Sequence, residues 1–229
     1  MTVLISVWGA SPGVGKSTLC AGLVRWLADA GLQVDHFREE EILTRPQFTA
    51  VAESFKTTGA VDLATLIAAT AEFVASVLAS GDDVVIADAL VPYIPTLLAM
   101  GHEEETIGAF MTDLTEVLAP VSPVMVFLDG NAEAALSRAA RREEGQWLDW
   151  YVGKLAKYAV SPPVADVTSA MNYLQRERAV TLETIARNDW SLVVIERADE
   201  LPQDEVLRAA QRSLRPWLEV LTQGSPTQG

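Results

Sequence analysis

A glycine-rich segment between a short apolar run and a long helical pattern constrains the fold of this chain more than any other feature. The apolar run is Val3–Trp8, the glycine-rich segment reads GASPGVGKST over residues 9–18, and the helical pattern covers Lys16–Ala30. Leucines repeat at helical spacing within that pattern, and Gly31 supplies a C-terminal stop. The sequence therefore predicts a strand, a tight turn and a helix in direct succession.

The glycine-rich segment has the composition of a loop that binds phosphate. Gly13 and Gly15 permit the positive φ that turns successive backbone N–H groups inward, toward an anion at the positive end of a helix. Lys16 would neutralise the β- and γ-phosphates, and the Ser17 hydroxyl would ligate Mg²⁺. Ala10 stands where the consensus of this motif, the P-loop, begins with glycine; this is a tolerated departure. The predicted nucleotide-binding residues are Ser11, Pro12, Gly13, Val14, Gly15, Lys16, Ser17 and Thr18.

Short apolar runs alternate with helical patterns along the whole chain. Near-continuous apolarity is typical of strands buried on both faces, and the alternation predicts a parallel sheet with right-handed crossovers. We therefore expect one α/β domain over residues 1–222, a three-layer P-loop NTPase fold in which helices flank a five-stranded parallel sheet. Residues 223–229 read as a flexible tail. The further strand candidates are Val34–Phe37, Val84–Ala87, Val124–Leu128 and Leu192–Ile195, and the further helix candidates are Ala60–Ser80, Asn131–Arg142 and Asp204–Leu221, the last kinked or broken at Pro216.

The charge balance limits the partners that this chain can have. Against 31 acidic residues stand 17 basic ones, for a net charge of −14. Binding to nucleic acid needs lysines and arginines that displace counterions from phosphates, so neither nucleic acid nor an anionic membrane is expected as a partner. The single cysteine, Cys20, excludes an internal disulfide, and no Cys/His spacing indicates structural zinc. Without a signal-peptide pattern or a long apolar segment at the N-terminus, we expect a cytoplasmic protein.

A magnesium-bound nucleotide also requires an acid near the loop. The run Val84–Ala87 ends in Asp88, which is the Walker B pattern. Because the carboxyl ends of parallel strands meet at one rim, Asp88 is expected beside the loop. The predicted metal ligands are therefore Ser17 and Asp88. Asp129 competes for this role, although N-terminal capping of the next helix explains it adequately.

The rest of the chain resembles the P-loop nucleoside and nucleotide kinases, above all the thymidylate kinases and deoxynucleoside kinases. The resemblance spans about residues 1–160 and rests on the P-loop, on Arg38–Glu41 after the second strand, on Asp88, and on an arginine-rich segment over residues 136–155. It implies ATP and Mg²⁺ as cofactors, a carboxylate that contacts or deprotonates the acceptor, a lid over about residues 138–150, and homodimerisation.

The arginine-rich segment favours a lid on physical grounds as well. Arg138, Arg141 and Arg142 cluster within two helical turns, although basic residues are scarce in the preceding part of the chain. Arg138 and Arg142, four positions apart, share a helix face. Above the γ-phosphoryl group they would stabilise charge on its oxygens, and Arg141 is expected to help bind the nucleotide. The alternative is an exposed helix whose arginines pair with neighbouring glutamates.

The sequence constrains the phosphoryl acceptor less than the phosphoryl donor. The family places an arginine after the strand-end acid, whereas alanine and leucine follow Asp88 here, and no Glu-Pro-Gly stretch follows the second strand. An uncharged or cationic hydroxyl compound therefore fits better than a monophosphate: a nucleoside, an aminoglycoside-like compound or another natural-product alcohol. Glu39 is best placed to accept the hydroxyl proton. Glu40 is the alternative, and a hydrated acidic turn is the structural interpretation.

Several other residues are expected to have structural roles. Trp147, Trp150 and Tyr151 repeat at helical spacing and are expected mainly in the core, with stacking on an acceptor ring as the alternative. Cys20 is interpreted as a small buried hydrophobe and His36 as a strand residue.

Together these observations predict an ATP-dependent kinase that transfers the γ-phosphoryl group to a hydroxyl of a small molecule. One alternative is a P-loop switch or partitioning ATPase acting on a protein partner, although such proteins commonly carry a lysine where Ser11 stands. Another is a pseudokinase-like subunit whose P-loop only stabilises a complex. The residues predicted to act in catalysis are Lys16, Glu39, Asp88, Arg138 and Arg142.

Overall fold

Five parallel strands form a single sheet at the centre of the computed structural model, which describes residues 2–9, 11–88, 90–143 and 146–223. The spatial order of the strands is β2-β3-β1-β4-β5. All neighbouring pairs are parallel, as the alternation of apolar runs and helical patterns predicts. The strands are β1 (Val3–Trp8), β2 (Val34–Phe37), β3 (Val84–Asp88), β4 (Pro123–Leu128) and β5 (Ser191–Ile195).

Some of the predicted features lie outside the described residues. These are Ala10 of the glycine-rich loop, residues 144 and 145 of the predicted lid, the tail from residue 224 onward, and the side chain of Arg142.

Nine α-helices connect and cover the strands in the described part of the chain. Where a helix was predicted, its ends agree within three residues with the structure, but the helices Thr49–Thr58, Ile94–Ala99 and Val167–Arg187 were missed. The longest of these is the 21-residue helix before β5. That helix begins at a capping box. The Asp166 carboxylate accepts a hydrogen bond from the Ser169 amide, and the Ser169 hydroxyl accepts one from the Asp166 amide. The helices are α1 (Lys16–Asp29), α2 (Thr49–Thr58), α3 (Leu63–Ser80), α4 (Ile94–Ala99), α5 (Glu104–Leu118), α6 (Ala132–Arg142), α7 (Trp147–Leu155), α8 (Val167–Arg187) and α9 (Gln203–Gln223).

The two faces of the sheet are buried in two separate hydrophobic clusters. Along β1, Val3, Ile5 and Val7 pack with α1 and α9, whereas Leu4 and Trp8 pack with α3 and α5. Successive side chains of a strand point to opposite faces, so a strand covered on both sides is apolar along nearly its whole length. Ser6, the polar exception in β1, donates a hydrogen bond to the Val91 carbonyl. The molecule therefore has three layers, with the carboxyl ends of all strands at one rim.

Helix α3 is the one helix of the described residues that is long and apolar enough to cross a membrane, with a mean hydropathy of 1.7. Length and composition alone give this result. In the fold, Leu66, Phe73 and Val77 of α3 are buried in the cluster that also contains β1 and α5. Core helices of layered proteins share this composition.

Helix α9 continues through Pro216, so of the predicted kink or break at this residue the break is wrong. A proline inside a helix removes one backbone hydrogen bond and clashes with the preceding turn. Leu214 and Leu218, on either side of the proline, are buried against the sheet. Tertiary packing of this apolar face outweighs the local preference of proline.

Helices α6, α7 and α8 share a third, smaller hydrophobic cluster next to the rim. It joins Leu136 of α6, Tyr151 and Leu155 of α7, and Tyr173 and Leu174 of α8. The segment predicted as a lid is therefore divided between two helices that pack on α8.

Candidate active site

The glycine-rich loop connects the central strand β1 to the N-terminus of α1. Gly13 and Gly15 adopt φ values of 81° and 108°, which β-carbon-bearing residues rarely adopt. Gly15 is the N-cap of α1 and offers no side chain to the first amides of the helix. Those amides and the positive end of the helix dipole face the loop, an arrangement that attracts anions.

Lys16, the first residue of α1, curls back over the loop. Its Nζ donates to the carbonyl oxygens of Gly9, at 3.5 Å, and Ser11, at 3.3 Å. Burial lowers the pKa of Lys16, and the carboxylates of Glu177, Glu39 and Asp88 act in the opposite direction. The long contacts to neutral carbonyls leave this ammonium available for a stronger, negatively charged partner.

Asp88 ends β3 next to the loop, as expected. Val7 of β1 pairs with Asp88 across the sheet, and Asp88 is 7% exposed. The segment that follows is tied to β1, since the Val91 carbonyl accepts hydrogen bonds from Ser6 Oγ and from Trp8 Nε1. Ser17 is exposed at the second position of α1.

A cleft of about 730 Å³ opens beside the loop. The loop and Lys16 form one wall, and residues from α2, α4, α7, α8 and the segment after β2 form the others. A cleft of this size can hold a drug-sized molecule. Its polar and aromatic lining includes Ser11, Lys16, Glu39, Trp147, Trp150, Tyr151, Lys154, Tyr158 and Glu177.

Of the two glutamates that the sequence left open as a base, Glu39 lines this cleft and Glu40 is not part of its lining. Both lie in a short 3₁₀ segment directly after β2. Burial raises the pKa of Glu39, whereas the nearby charges of Lys16 and Lys154 lower it. Glu41, the third residue of the run, instead forms an ion pair with Arg45 at 2.8 Å.

Glu177 of α8 is a second carboxylate in the cleft, and sequence reasoning missed it. It is half-buried on the same stripe of α8 as Tyr173, Leu174 and Thr181. Burial raises the pKa of Glu177 to about 7, against the opposing effect of the Lys16 and Lys154 charges. The sequence signal that could have identified Glu177 is a carboxylate on the apolar face of a capped helix. That signal is visible only once residues 167–187 are recognised as a helix.

The aromatic residues of α7 are only partly in the core, which corrects the expectation for Trp150. Tyr151 is buried, and its ring stacks on Trp147 at 5.1 Å with an interplanar angle of 5°. Trp150 is 59% exposed and lies with Trp147 and Tyr151 along the cleft. Lys154 Nζ lies 6.0 Å from the centre of the Trp150 ring. The cleft thus has an aromatic wall.

Arg138 of α6 lies on another side of the loop. It lines a pocket of about 140 Å³ together with Gly13, Gly15, Thr18 and Leu201. Helix α6 touches the loop closely, because a β-carbon on Gly13 would be 2.8 Å from the Ala135 carbonyl oxygen. Arg141 is exposed.

The capping interpretation of Asp129 is wrong. Asn131 is the N-cap of α6, where its side chain accepts from the Ala134 amide at 3.1 Å. Asp129 instead binds Arg178 of α8 through two hydrogen bonds of 2.6 and 2.5 Å. These bonds to Arg178 lower the pKa of Asp129. Asp129 is therefore already paired, which weakens its claim to a metal.

No protein-family model matches this chain, and no curated protein matches it. The function proposed below is therefore argued from the residues and their geometry.

Proposed function

We propose that the protein is a kinase that transfers the γ-phosphoryl group of ATP to a hydroxyl of a small molecule. One observation carries the proposal: a single cleft contains the glycine-rich loop with Lys16, the carboxylates of Glu39 and Glu177, and an aromatic wall. A nucleotide hydrolase needs room only for its nucleotide and water. A transferase needs a second, shaped site within reach of the γ-phosphate, and the part of this cleft beyond Lys16 would provide one.

The donor side of the proposal rests on the loop. Gly13 and Gly15 of the loop have positive φ, which is compatible with a P-loop, and the hydrogen bonds that Lys16 Nζ donates within the described part of the chain are to neutral carbonyls. These features fit a triphosphate, which would replace the carbonyls as the partner of Nζ. Arg138 lines a pocket together with Gly13 and Thr18, and from there it would neutralise charge on the bound nucleotide.

Ser17 and Asp88 are the residues that would hold Mg²⁺. Both offer oxygen, the ligand type that Mg²⁺ prefers, and they lie on neighbouring elements at the rim of the sheet. When bound, the ion would neutralise charge on the phosphate oxygens.

The acceptor side rests on the far walls of the cleft. Glu39 is proposed as the base that accepts the hydroxyl proton, because its raised pKa makes it a better proton acceptor than an exposed glutamate. Trp147 and Trp150 would stack on a ring of the acceptor. Glu177 would accept a hydrogen bond from a second hydroxyl or an amine. A nucleoside or a natural-product alcohol satisfies this lining.

Labelled ATP and a panel of nucleosides, aminoglycosides and other alcohols test the proposal. We expect Lys16→Ala to lower ATP affinity about 10- to 150-fold, the loss of a charge-assisted contact, and Lys56→Ala on the exposed face of α2 to leave it unchanged. With an accepted alcohol, Glu39→Gln should slow transfer by about 10²–10⁴-fold, with Glu40→Gln as the matched control.

Two results would contradict the proposal in different ways. Phosphate release that is equally fast with and without every alcohol would favour a switch or partitioning ATPase. Unchanged transfer in Glu39→Gln would keep the kinase and remove Glu39 as its base.

A further inference from the structure

Cys20, His36 and Asp88 form a compact cluster one helical turn away from the glycine-rich loop. They come from three different elements, namely α1, β2 and the end of β3. One ligand atom of each residue, the Cys20 sulfur, a His36 ring nitrogen and an Asp88 carboxylate oxygen, lies within 4.8 Å of the other two. Cys20 is 0% exposed, Asp88 is 7% exposed and His36 is half-buried, so two of the three residues are sheltered from bulk water.

His36 supplies an independent observation that points to a ligand. Its Nε2 atom is buried and has no hydrogen-bond partner among the described residues. A buried polar atom without a partner costs about 1–3 kcal/mol, so such atoms are rare unless something binds them. The neighbouring cysteine and aspartate are both groups that can share a ligand with an imidazole nitrogen.

We propose that Cys20, His36 and Asp88 bind one thiophilic divalent cation, with Zn²⁺ as the model ion. Sulfur, imidazole and carboxylate are the three ligand types of zinc sites, and three protein ligands leave a fourth position open. Mg²⁺ is excluded from this set because it prefers oxygen ligands only. The site overlaps the predicted Mg²⁺ pair at Asp88 and differs from it in taking Cys20 and His36 in place of Ser17.

The separation of the ligand atoms suits an ion of this kind. Bond lengths of about 2.0 Å to nitrogen and about 2.3 Å to sulfur place tetrahedral ligand atoms about 3–4 Å apart. The present separations are within 4.8 Å, at most about 1–2 Å longer than that tetrahedral spacing. On binding, the Cys20 S–H bond breaks, its proton leaves to solvent, and the sulfur forms the bond to the cation.

The cluster also connects the cation to the proposed kinase. Because Asp88 is the proposed Mg²⁺ ligand, a cation held by Cys20 and His36 would compete for the same carboxylate. This consequence rests on the proposed function, whereas the site itself does not.

Titration of the full chain with Co²⁺ in excess Mg²⁺ tests the site. Co²⁺ substitutes for Zn²⁺ and shows a near-ultraviolet charge-transfer band when a thiolate binds it. Cys20 is the one cysteine of the chain, so such a band reports this residue alone. We expect the band in the wild type, its loss in Cys20→Ala, and its displacement by added Zn²⁺.

His36 and His102, the two histidines of the chain, form a matched pair of variants. His36→Gln should lower Zn²⁺ affinity more than about 100-fold, the upper end for partners that touch a metal only indirectly, and His102→Gln should leave it unchanged. Zn²⁺ should also raise the Tm of the wild type and not that of His36→Gln.

Absence of the Co²⁺ band in the wild type would overturn the proposal. Equal Zn²⁺ affinities of His36→Gln and His102→Gln would overturn it as well, by showing that the thiol acts alone. If Cys20→Ala fails to fold, the Zn²⁺ affinities of His36→Gln and His102→Gln still test the site, because His36 is only half-buried. None of these measurements uses ATP, so failure of the cation site and failure of the kinase are separate results.

Discussion

Lys16 and Glu177 carry opposite charges in the same cleft, and burial acts against both. Burial lowers the pKa of Lys16 and raises that of Glu177 to about 7, while each charge partly offsets the penalty on the other. Perturbed groups that face one cleft are typical of functional sites. At the scale of single residues, the protonation of this cleft is therefore expected to respond to pH near neutrality.

The Glu177→Gln variant tests the burial of this carboxylate. Because the pKa in the folded state exceeds the ordinary value of 4.5, the folded protein binds more protons than the unfolded chain between about pH 4.5 and about pH 7. This residue therefore makes stability fall as pH rises through that window. Glu177→Gln should remove the fall and be more stable than the wild type at about pH 8, by on the order of 1–3 kcal/mol, in urea unfolding.

Glu183→Gln is the matched control, because Glu183 is exposed on the same helix. Its free energy of unfolding should differ from the wild type by no more than about 0.5 kcal/mol at every pH. Parallel pH curves for the wild type and Glu177→Gln would contradict the burial of Glu177.

At the scale of elements, α6 and α8 position the loop and the cleft. Helix α6 touches the loop at Gly13, where no side chain fits. Helix α8 carries Glu177 and is tied to the end of β4 by the pair of Arg178 and Asp129. Each contact joins a segment of the candidate site to a neighbouring element. Its loss should therefore change the geometry of the candidate site as well as the free energy of unfolding.

Gly13→Ala and Gly31→Ala separate the effect of close contact from that of backbone conformation. Both glycines have similar positive φ values, 81° and 86°, so both alanines should cost about 1–2 kcal/mol in unfolding free energy. Only Gly13 has a neighbour, because a β-carbon on Gly31 would meet nothing within 4 Å. Gly13→Ala should cost more stability and also weaken ATP binding measured by calorimetry. Equal effects of the two variants would argue against the close contact with α6.

Arg178→Met tests the tie between β4 and α8. The arginine side chain is 41% exposed, so solvent screening limits the expected loss to about 1 kcal/mol in urea unfolding at neutral pH. Since Arg178 lowers the pKa of Asp129, this contribution should disappear as pH falls through the folded-state pKa. Arg187→Met, in an exposed pair on the same helix, should cost no more than about 0.5 kcal/mol. A difference between the two that is independent of pH would contradict an ionic tie.

At the scale of the whole molecule, both faces of the sheet are covered by apolar layers. One layer contains a set of three phenylalanine rings: Phe73 of α3 lies 4.9 Å from Phe37 and 6.0 Å from Phe48, centre to centre. These rings pack α3 against the end of β2, and Glu39, the candidate base, follows two residues after that end. The core therefore supports the position of Glu39 as well as the stability of the domain.

Phe73→Ala should lower the free energy of unfolding by about 3–5 kcal/mol, because it leaves a cavity in this layer. Leu78 lies on the same helix and is 47% exposed, so Leu78→Ala should cost no more than about 0.5 kcal/mol. Chemical denaturation of both variants measures the difference. Similar losses would show that α3 does not bury Phe73 against the sheet.

The strand positions and the loop were predictable because their signals are local. All five runs became strands within one residue of their predicted ends. Near-continuous apolarity corresponds to strands covered on both faces, as in β1, β3 and β4, whereas β2 is interrupted by Asp35 and His36 and lies at an edge of the sheet. Glycines at positions 13 and 15 were assigned positive φ for the same kind of reason, since few other residues adopt it.

The missed features depend on partners that are distant in the sequence. Asp129 was predicted as a helix cap, but its partner is Arg178, which lies 49 residues away in the sequence. Pro216 predicted a kink or a break, but the helix continues because its apolar neighbours Leu214 and Leu218 pack on the sheet. Glu177 had no visible role, because only folding brings α8 to the loop.

The sequence by itself therefore determined the parallel α/β layers, the loop conformation and the strand-end position of Asp88, since each depends on residues adjacent along the chain. The tertiary structure decided which side chains share the cleft and the Cys20–His36–Asp88 cluster. Side chains from separate elements meet only when packing sets the relative positions of those elements, and no spacing in the sequence encodes that distance.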